Sequence, residues 1–287
     1  MLKSLKNEFK KSDSLLKLIY INLGVFFLYN ILFVCDYLLS TSFTNPSILI
    51  EWLALPVLPL DLLKKIWTII TYMFLHQELF HLFFNLFGLY FIGTLFLRYL
   101  NSGQLIKTYI LGGICSGLFF ILSFNLFPAL INEENLPLIG ASGSIFAILF
   151  SIATRVPNLN VFFDFKLKHL ALFLVVFNFC YIPWDPGACI AHLGGAFYGF
   201  VYINRLNSGI DITIWPVKLL NSVIGILFSQ NKSYDLENRR TKTDQQYRNE
   251  KVEKRKIINK ILEKISKSGY ESLTAKEKEV LFKESKK

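Results

Sequence analysis

The chain has 287 residues, 53% of them hydrophobic, and a mean hydropathy of +0.41. This composition is too apolar for an ordinary soluble domain and excludes that class. The net charge of +10 would suggest nucleic acid as the partner of a soluble protein, but Lys and Arg also collect in the cytoplasmic loops of membrane proteins. We therefore expect the lipid bilayer as a partner, and no nucleic acid.

Six apolar stretches approach the roughly 20 residues that a helix needs to cross a bilayer. They lie at about 15–39, 67–100, 105–127, 138–154, 167–182 and 188–204. The sequence thus predicts an all-α polytopic membrane protein with six transmembrane helices. We expect four parts along the chain: a basic N-terminal segment 1–14, a six-span domain 15–206, an apolar segment 207–229 and a charged helical tail 230–287. Within the third part, 212–228 is predicted to lie in the membrane interface, with a seventh span as the alternative.

The connections are predicted from turn residues and hydrophobicity. The first loop, about 40–65, is apolar and is broken by Pro56 and Pro59. We expect it to lie in the membrane interface with Trp52 as an anchor, and an ordinary structured loop is the alternative. The second span is expected to open with a short interfacial helix, and tight turns are expected at 101–103 and 183–187.

Charge predicts the orientation of the spans. Basic residues precede the first span, flank the turn between the second and third, lie between the fourth and fifth, and follow the sixth: Lys3, Lys6, Lys10, Lys11, Arg98, Lys107, Arg155, Lys166, Lys168 and Arg205. The other connections carry Glu51, Asp61, Glu133, Glu134 and Asp185, with Lys64 and Lys65 as exceptions. The positive-inside rule therefore places both termini in the cytoplasm. We expect no cleavable signal peptide, because the first apolar segment is long enough to remain as an anchor.

The four cysteines lie in or beside apolar stretches and form no C-x-x-C pair. Buried free thiols are the expected state of such cysteines. Cys180 and Cys189 flank one short loop, so a bridge between them is the only pairing worth checking.

A small-residue run, Gly140 to Ser144, opens the fourth span with Ser142 between glycines. Glycine is unfavourable inside helices, and polar groups in a span are costly, so this run is a functional candidate. A lone serine in a span usually bonds its own helix backbone, and that is the structural alternative. The charge pattern places Ser142 at the extracytoplasmic end of its span.

The sixth span carries His192 beside a ridge of small residues formed by Ala191, Gly195 and Gly199. A similar ridge in the fourth span consists of Gly143, Ala147 and Ser151. Such ridges let two helices approach closely. If the two ridges meet, His192 comes near the Ser142 hydroxyl, and an imidazole within reach of a hydroxyl is the minimal activated nucleophile.

His81 and Asn85 lie four residues apart in the second span and so share one helix face. Both can donate hydrogen bonds to a developing oxyanion, and the Ser142 backbone N–H is a third candidate donor. We expect His76 to make structural hydrogen bonds and His169 to be an interfacial residue. A metal site formed by His76, His81 and His192 is the rival interpretation, but no carboxylate or thiolate is spaced to join them.

The combination of H-x-x-x-N, G-x-S-G and A-H-x-x-G-x-x-x-G in three spans resembles the rhomboid family of intramembrane serine proteases. The resemblance covers about residues 15–206 and rests on His81, Asn85, Gly140, Ser142, Gly143, Ala191, His192, Gly195 and Gly199. It implies a catalytic Ser142–His192 dyad, an oxyanion site that uses His81 and Asn85, transmembrane protein substrates, and no metal or organic cofactor.

The chain departs from the family pattern at two points. Phe146 stands where many members have a tyrosine, so stacking on the histidine is expected without a hydroxyl, and the first loop has no clear Trp-Arg pair. The family also includes inactive members that lack the dyad, whereas this chain keeps Ser142 and His192. A non-catalytic membrane protein, such as a rhomboid-like binder or a transporter, remains the alternative.

The charged tail is predicted to form a small helical hairpin. Apolar residues recur at helical spacing over 252–266, Gly269 is expected to end that helix, and Thr274 with Glu277 has the spacing of a capping box for a second helix. The run from Lys267 to Thr274 resembles tails of some bacterial rhomboid-like proteins, and we accordingly expect the chain in a bacterial cytoplasmic membrane. The sequence does not specify an oligomeric state.

Overall fold

The structure, a computed structural model, describes residues 13–39, 46–131, 137–162 and 164–216, together with residues 261, 263–265, 269, 272–274 and 277 of the tail. The chain forms two compact units, Met1–Leu227 and Phe228–Lys287. The helices of the first unit are α1 (Ser14–Leu39), α2 (Pro46–Leu53), α3 (Pro59–Lys64), α4 (Thr68–Thr71), α5 (Leu79–Tyr99), α6 (Ser102–Leu126), α7 (Ser142–Arg155), α8 (Leu167–Tyr181) and α9 (Pro186–Asn207). A 3-10 turn, Tyr72–Phe74, follows α4, and the strands β1 (Asn160–Phe162) and β2 (Phe165–Lys166) form an antiparallel hairpin between α7 and α8.

Helix α7 lies at the centre of the bundle. It packs against α5, α6, α8 and α9, and ten of the eleven positions from Gly143 to Ala153 are buried, Phe146 being the exception. Helix α1 packs on α5 and α6 instead. The residue that opens α7 is therefore held at a point where several helices meet.

The predicted spans correspond to six long or apolar helices, α1 and α5 to α9. By length and composition, three segments of the described chain can cross a membrane: Ser14–Cys35, Leu79–Tyr99 and Ser102–Leu126. Ser142–Arg155 and Leu167–Tyr181 are shorter apolar helices. The chain is thus a helical membrane protein, and the count of six spans remains a prediction.

The outer faces of these helices carry large apolar side chains. On α5, Phe80 is 75% and Phe84 is 66% exposed, and on α8, Leu172 is 63% exposed. Apolar faces of this extent are costly in water and are stable against lipid tails. Their position agrees with a bundle that is surrounded by a bilayer.

Small residues bring α6, α7 and α9 close together, as their spacing predicts. A Cβ added at Gly112 of α6 would overlap the Ala147 side chain, and one at Gly199 of α9 would overlap the Ala147 carbonyl oxygen. The Ser151 hydroxyl donates to the Gly199 carbonyl at 3.5 Å, across the same crossing. The two predicted ridges therefore meet.

The first loop is built around two stacked tryptophans. The rings of Trp52 and Trp67 are 5.7 Å apart and 6° from parallel, and Trp67 Nε1 donates to the Trp52 carbonyl at 2.7 Å. Lys65 Nζ lies 5.2 Å from the centre of the Trp52 ring and pairs with Glu51 at 2.8 Å. Lys64 pairs with Asp61 at 3.0 Å, so both lysines that break the charge pattern have acidic partners.

Several predicted boundaries are wrong in detail. Residues 138–141 are not helical, because Leu138 pairs with Leu55 in an isolated antiparallel bridge with N···O distances of 3.0 and 2.9 Å. Asn101 is the N-cap of α6 rather than part of a tight turn, and it forms a capping box with Gln104. Asp185 caps α9 by accepting from the Ala188 N–H at 3.0 Å. The α7–α8 hairpin was not anticipated.

The four cysteines are free thiols, as expected, but the expected burial is found only for Cys189. Cys35 and Cys180 are exposed, and Cys115 is partly exposed. Some predictions concern residues outside the described part of the chain. These are the predictions for 1–12, for Glu133 and Glu134, for 217–229 and for most of the 252–266 helix.

The tail contains the predicted capping box. The Thr274 N–H donates to Glu277 Oε2 at 2.7 Å, and the Glu277 N–H donates to Thr274 Oγ1 at 3.4 Å. Lys264 Nζ also lies 2.9 Å from Glu277 Oε2, which joins the segments on either side of Gly269. These contacts agree with a helical hairpin.

Glu277 is expected to titrate at unusually low pH. The Thr274 N–H, followed by the Lys264 ammonium, lowers the pKa of this carboxyl from 4.5 to about 2. A depressed pKa means that the carboxylate stabilises the tail above pH 4.5 and that this contribution disappears as the pH falls toward 2. Carbon-13 NMR of the carboxyl in the full chain should give a midpoint near 2, and Thr274→Ala should raise it. A midpoint at the ordinary value in both chains would contradict the cap.

Candidate active site

The segment before Ser142 is fixed by backbone contacts to the first loop and the 3-10 turn. In addition to the Leu55–Leu138 bridge, the Gly140 N–H donates a hydrogen bond to the Tyr72 carbonyl at 2.9 Å. Gly140 has a φ of +109°, and a Cβ there would lie 2.8 Å from the His81 ring. Both the backbone conformation and the space therefore require glycine. Gly140 thus makes room for His81.

Ser142 is the first residue of α7 and is partly exposed, whereas Gly143 and Ser144 beside it are buried. Ala141 precedes it as the N-cap and provides no side-chain cap. The first N–H groups of a helix have no partner within that helix, and the positive end of the helix dipole lies there. The start of α7 thus offers a hydroxyl next to backbone donors.

His192 lies on α9 and stacks on α7. Its ring is 4.2 Å from the Phe146 ring and 3° from parallel, so the expected stacking is present without a tyrosine hydroxyl. Phe146 follows Ser142 by four residues and shares its helix face. The imidazole therefore lies on the same face of α7 as the serine.

Next to Ser142, the backbones of α7 and α9 are in direct contact. A Cβ at Gly195 would overlap the Gly143 carbonyl oxygen, and a Cβ at Gly143 would lie 3.5 Å from the Ala191 carbonyl oxygen and 2.5 Å from Ser116 Oγ. Ala191, Gly195 and Gly143 therefore have the packing roles that their spacing predicts. They hold residues 142–143 against the turn of α9 that carries His192.

His192 Nε2 is buried and has no hydrogen-bond partner among the described residues. The hydrogen bond from the Ser142 hydroxyl that a dyad uses is therefore not made in this structure. Catalytic hydrogen bonds often tighten only when substrate binds. A buried, unpartnered imidazole nitrogen beside the start of α7 is nevertheless an unusual feature, because buried polar atoms are normally paired.

His81 and Asn85 lie on the inner face of α5. His81 is half-buried against Gly140, and Asn85 is buried with its Nδ2 donating to the His81 carbonyl at 2.9 Å. One amide hydrogen of Asn85 thus bonds its own helix, and the second remains for another acceptor. The two residues share a face, as their spacing predicts.

His76 makes the structural contacts that were expected of it. It is fully buried, its Nδ1 lies 3.3 Å from the Phe74 carbonyl, and its Nε2 accepts from the Ala141 N–H at 3.5 Å. Burial lowers the pKa of His76 to about 4, so the ring is neutral near pH 7 and can donate and accept at once. His169 is exposed and lies edge-on to Phe165 at 5.8 Å.

The described residues contain no group of three or more His, Cys, Asp or Glu side chains that could hold a metal ion. The rings of His76 and His81 are 5.0 Å apart, but His76 is already engaged with backbone. His76 Nε2, which a metal would need, is thus occupied by the Ala141 N–H.

Asn178 is a member of the site that the sequence did not predict. It is 3% exposed on α8, and its Oδ1 lies 2.7 Å from His192 Nδ1. The available signal was a carboxamide in the last turn of the apolar segment Leu167–Tyr181, where polar groups are costly. Its partner, His192, lies on a different helix, so the spacing of residues along α8 could not reveal the contact.

The fold and the site define a mostly helical membrane protein in which polar side chains of α5, α7, α8 and α9 meet near the start of one buried helix. The chain belongs to the rhomboid family: the family model described as the Rhomboid domain matches residues 63–207 of the 287. The tail, residues 241–287, matches a second model, described as a family of unknown function (DUF6576).

Two curated relatives come from Arabidopsis thaliana. Over 135 residues the chain is 28% identical to "Inactive RHOMBOID-like protein 8", a match that covers 46% of the chain and 35% of the relative. Over 160 residues it is 26% identical to "RHOMBOID-like protein 12, mitochondrial", which covers 50% of the chain and 48% of the relative. The matches thus span at most about half of these relatives. Both are plant proteins, so they lend no support to a bacterial type of tail or a bacterial membrane.

Proposed function

We propose that the chain is an intramembrane serine endopeptidase that cleaves transmembrane segments of membrane proteins. The observation that carries this proposal is the buried imidazole of His192. Its ring is stacked on Phe146, one turn after Ser142, and its Nε2 is unpartnered. A base with a free nitrogen near a partly exposed serine at a helix start is the arrangement that acyl transfer requires.

The chemistry follows from these positions. The Ser142 oxygen attacks the carbonyl carbon of the scissile peptide bond while His192 Nε2 takes the hydroxyl proton. The imidazolium then gives that proton to the leaving amine, and the C–N bond breaks to leave an acyl-enzyme. Water attacks the acyl group with His192 again acting as the base, which restores Ser142.

Oxyanion stabilisation is assigned to donors on two helices. The Ser142 N–H at the start of α7 has no partner within its helix, and His81 and the second amide hydrogen of Asn85 lie on the inner face of α5. Donors arranged in advance around the developing negative charge lower the barrier without having to reorganise. These three groups are the best candidates among the described residues.

The proposal includes a topology. Six helices cross the bilayer, both termini are cytoplasmic, and water reaches Ser142 from the extracytoplasmic side, as the charge pattern predicts. The substrate helix must unwind locally to expose its backbone, so small or helix-destabilising residues are expected near the cut. No cofactor is needed in this scheme, and location in a bacterial cytoplasmic membrane remains a prediction.

Cleavage of a model transmembrane substrate in proteoliposomes tests the function. The wild-type chain is expected to cut the substrate, and Ser142→Ala should remove the activity because the nucleophile is lost. Ser144→Ala is the matched control, since Ser144 is buried two residues away with its Oγ 3.7 Å from the Met73 sulfur. Absence of cleavage by the wild type, or equal cleavage by Ser142→Ala, would refute the proposal.

A non-catalytic rhomboid-like binding protein is the second candidate, and the name of one relative favours testing it. In that case the wild type would bind transmembrane segments without cutting them, and Ser142→Ala would bind equally well. The same proteoliposomes, with crosslinking to the substrate as the readout, distinguish the two functions.

A further inference from the structure

Asn178 offers only one group to His192. Its Nδ2 donates to the Leu174 carbonyl at 2.8 Å, one turn earlier in α8, and its Oδ1 lies 2.7 Å from His192 Nδ1. A carboxamide oxygen can only accept a hydrogen bond. His192 Nδ1 must therefore carry the hydrogen, and in the neutral ring Nε2 then holds the free electron pair.

The imidazole is constrained in two independent ways. Parallel stacking on Phe146 at 4.2 Å sets the plane of the ring, and the bond to Asn178 sets its rotation within that plane. Together they aim Nε2, which is buried and unpartnered, away from α8. Without Asn178 both tautomers and other ring rotations become accessible, because stacking alone does not distinguish the two nitrogens.

We propose that Asn178 is the positioning residue of the site, so that the working unit is Ser142–His192–Asn178 on α7, α9 and α8. The catalytic part of this inference rests on the proposed protease function, whereas the Asn178–His192 bond itself does not. When Nε2 takes the serine proton, Oδ1 continues to accept from Nδ1–H and its dipole favours the positive ring. The amide does so without placing a carboxylate charge in an apolar helix.

Three variants of the full chain test this role. Asn178→Leu removes the acceptor at similar volume, and Asn178→Asp returns an oxygen to the same position. Asn30→Leu is the matched control, because Asn30 also donates to the carbonyl four residues earlier, Phe26, at 2.9 Å but lies on α1. It makes the same local bond on a helix that carries neither His192 nor Ser142.

Nitrogen-15 NMR of histidine-labelled protein reads the tautomer without any activity. The chain has four histidines, so the signals of His192 are identified as those that are missing from the spectrum of His192→Gln. The wild type and Asn30→Leu should carry the hydrogen on Nδ1, whereas Asn178→Leu should give a mixture or the Nε2–H form. An unchanged spectrum in Asn178→Leu would overturn the inference.

Kinetics on the model transmembrane substrate give the second readout. Asn178→Leu should lower kcat about 10- to 100-fold, the range expected for one lost hydrogen bond to a group that becomes charged, with KM unchanged. Asn178→Asp should recover part of kcat, and Asn30→Leu should match the wild type. Equal kcat in Asn178→Leu and Asn30→Leu would overturn the positioning role. If the wild type cleaves nothing, the proposed function fails. The nitrogen-15 spectrum still tests whether Asn178 fixes the tautomer of His192.

Discussion

Replacing His192 with alanine is expected to abolish cleavage as completely as replacing Ser142. The hydroxyl of a serine is a weak nucleophile at neutral pH, and His192 Nε2 is the one unpartnered imidazole nitrogen identified among the buried atoms of the described chain. Loss of either member of such a pair lowers kcat by about 10⁴- to 10⁶-fold, which brings the rate below detection. The measurement is substrate cleavage in proteoliposomes with purified variants.

The double variant Ser142→Ala/His192→Ala sharpens this test. If the two residues act as one unit, the double variant should cleave the substrate no more slowly than either single variant. The first substitution has already removed the function that both residues share. His169→Ala is the matched histidine control, since that side chain is exposed beside Phe165. Residual activity in His192→Ala that a further Ser142→Ala removes would show that another group activates the serine.

Gly195→Ala is expected to reduce both stability and activity sharply. The added methyl group would overlap the Gly143 carbonyl oxygen and lie 2.9 Å from Ser116 Oγ. The overlapped atom belongs to the backbone of a buried helix, so α9 must move away from α7. Overpacking of this kind costs about 1–3 kcal/mol, and the movement separates His192 from Ser142. Thermal unfolding and cleavage should both report the change.

The control for Gly195→Ala is Gly24→Ala on α1, where an added Cβ meets nothing within 4 Å. Alanine is favoured over glycine inside a helix by about 0.5–1 kcal/mol. Gly24→Ala should therefore equal or exceed the wild type in stability and should cleave normally. If Gly195→Ala behaves like Gly24→Ala, the close backbone approach of α7 and α9 is wrong.

Features that depend on local spacing could be predicted from the sequence. The small-residue ridges of α7 and α9 and the Thr274–Glu277 cap follow from periods of three or four residues along a helix, whereas the stacking of Phe146 on His192 was expected only from the family resemblance. The shared face of His81 and Asn85 has the same origin. In each case the geometry of one helix nearly determines which side chains are neighbours.

Features that depend on distant pairing could not be predicted. Residues 138–141 were assigned to a helix because they are apolar, yet Leu138 pairs with Leu55, and no periodicity in the sequence reveals that bridge. The approach of His81 to Gly140 is likewise a contact between distant parts of the chain that no spacing reveals. Asn178 was overlooked because its role depends on the relative rotation of α8 and α9.

The order of synthesis has a consequence for this arrangement. His192 lies on α9, whereas Ser142 lies on α7, which leaves the ribosome earlier. During insertion α7 therefore enters the membrane while its base is still untranslated and while the backbone of Gly195 is not yet present to hold it. A nascent chain that carries the serine but lacks α9 has no general base of the proposed kind. On the proposed chemistry, proteolytic activity begins only after α9 has been inserted and packed against α7.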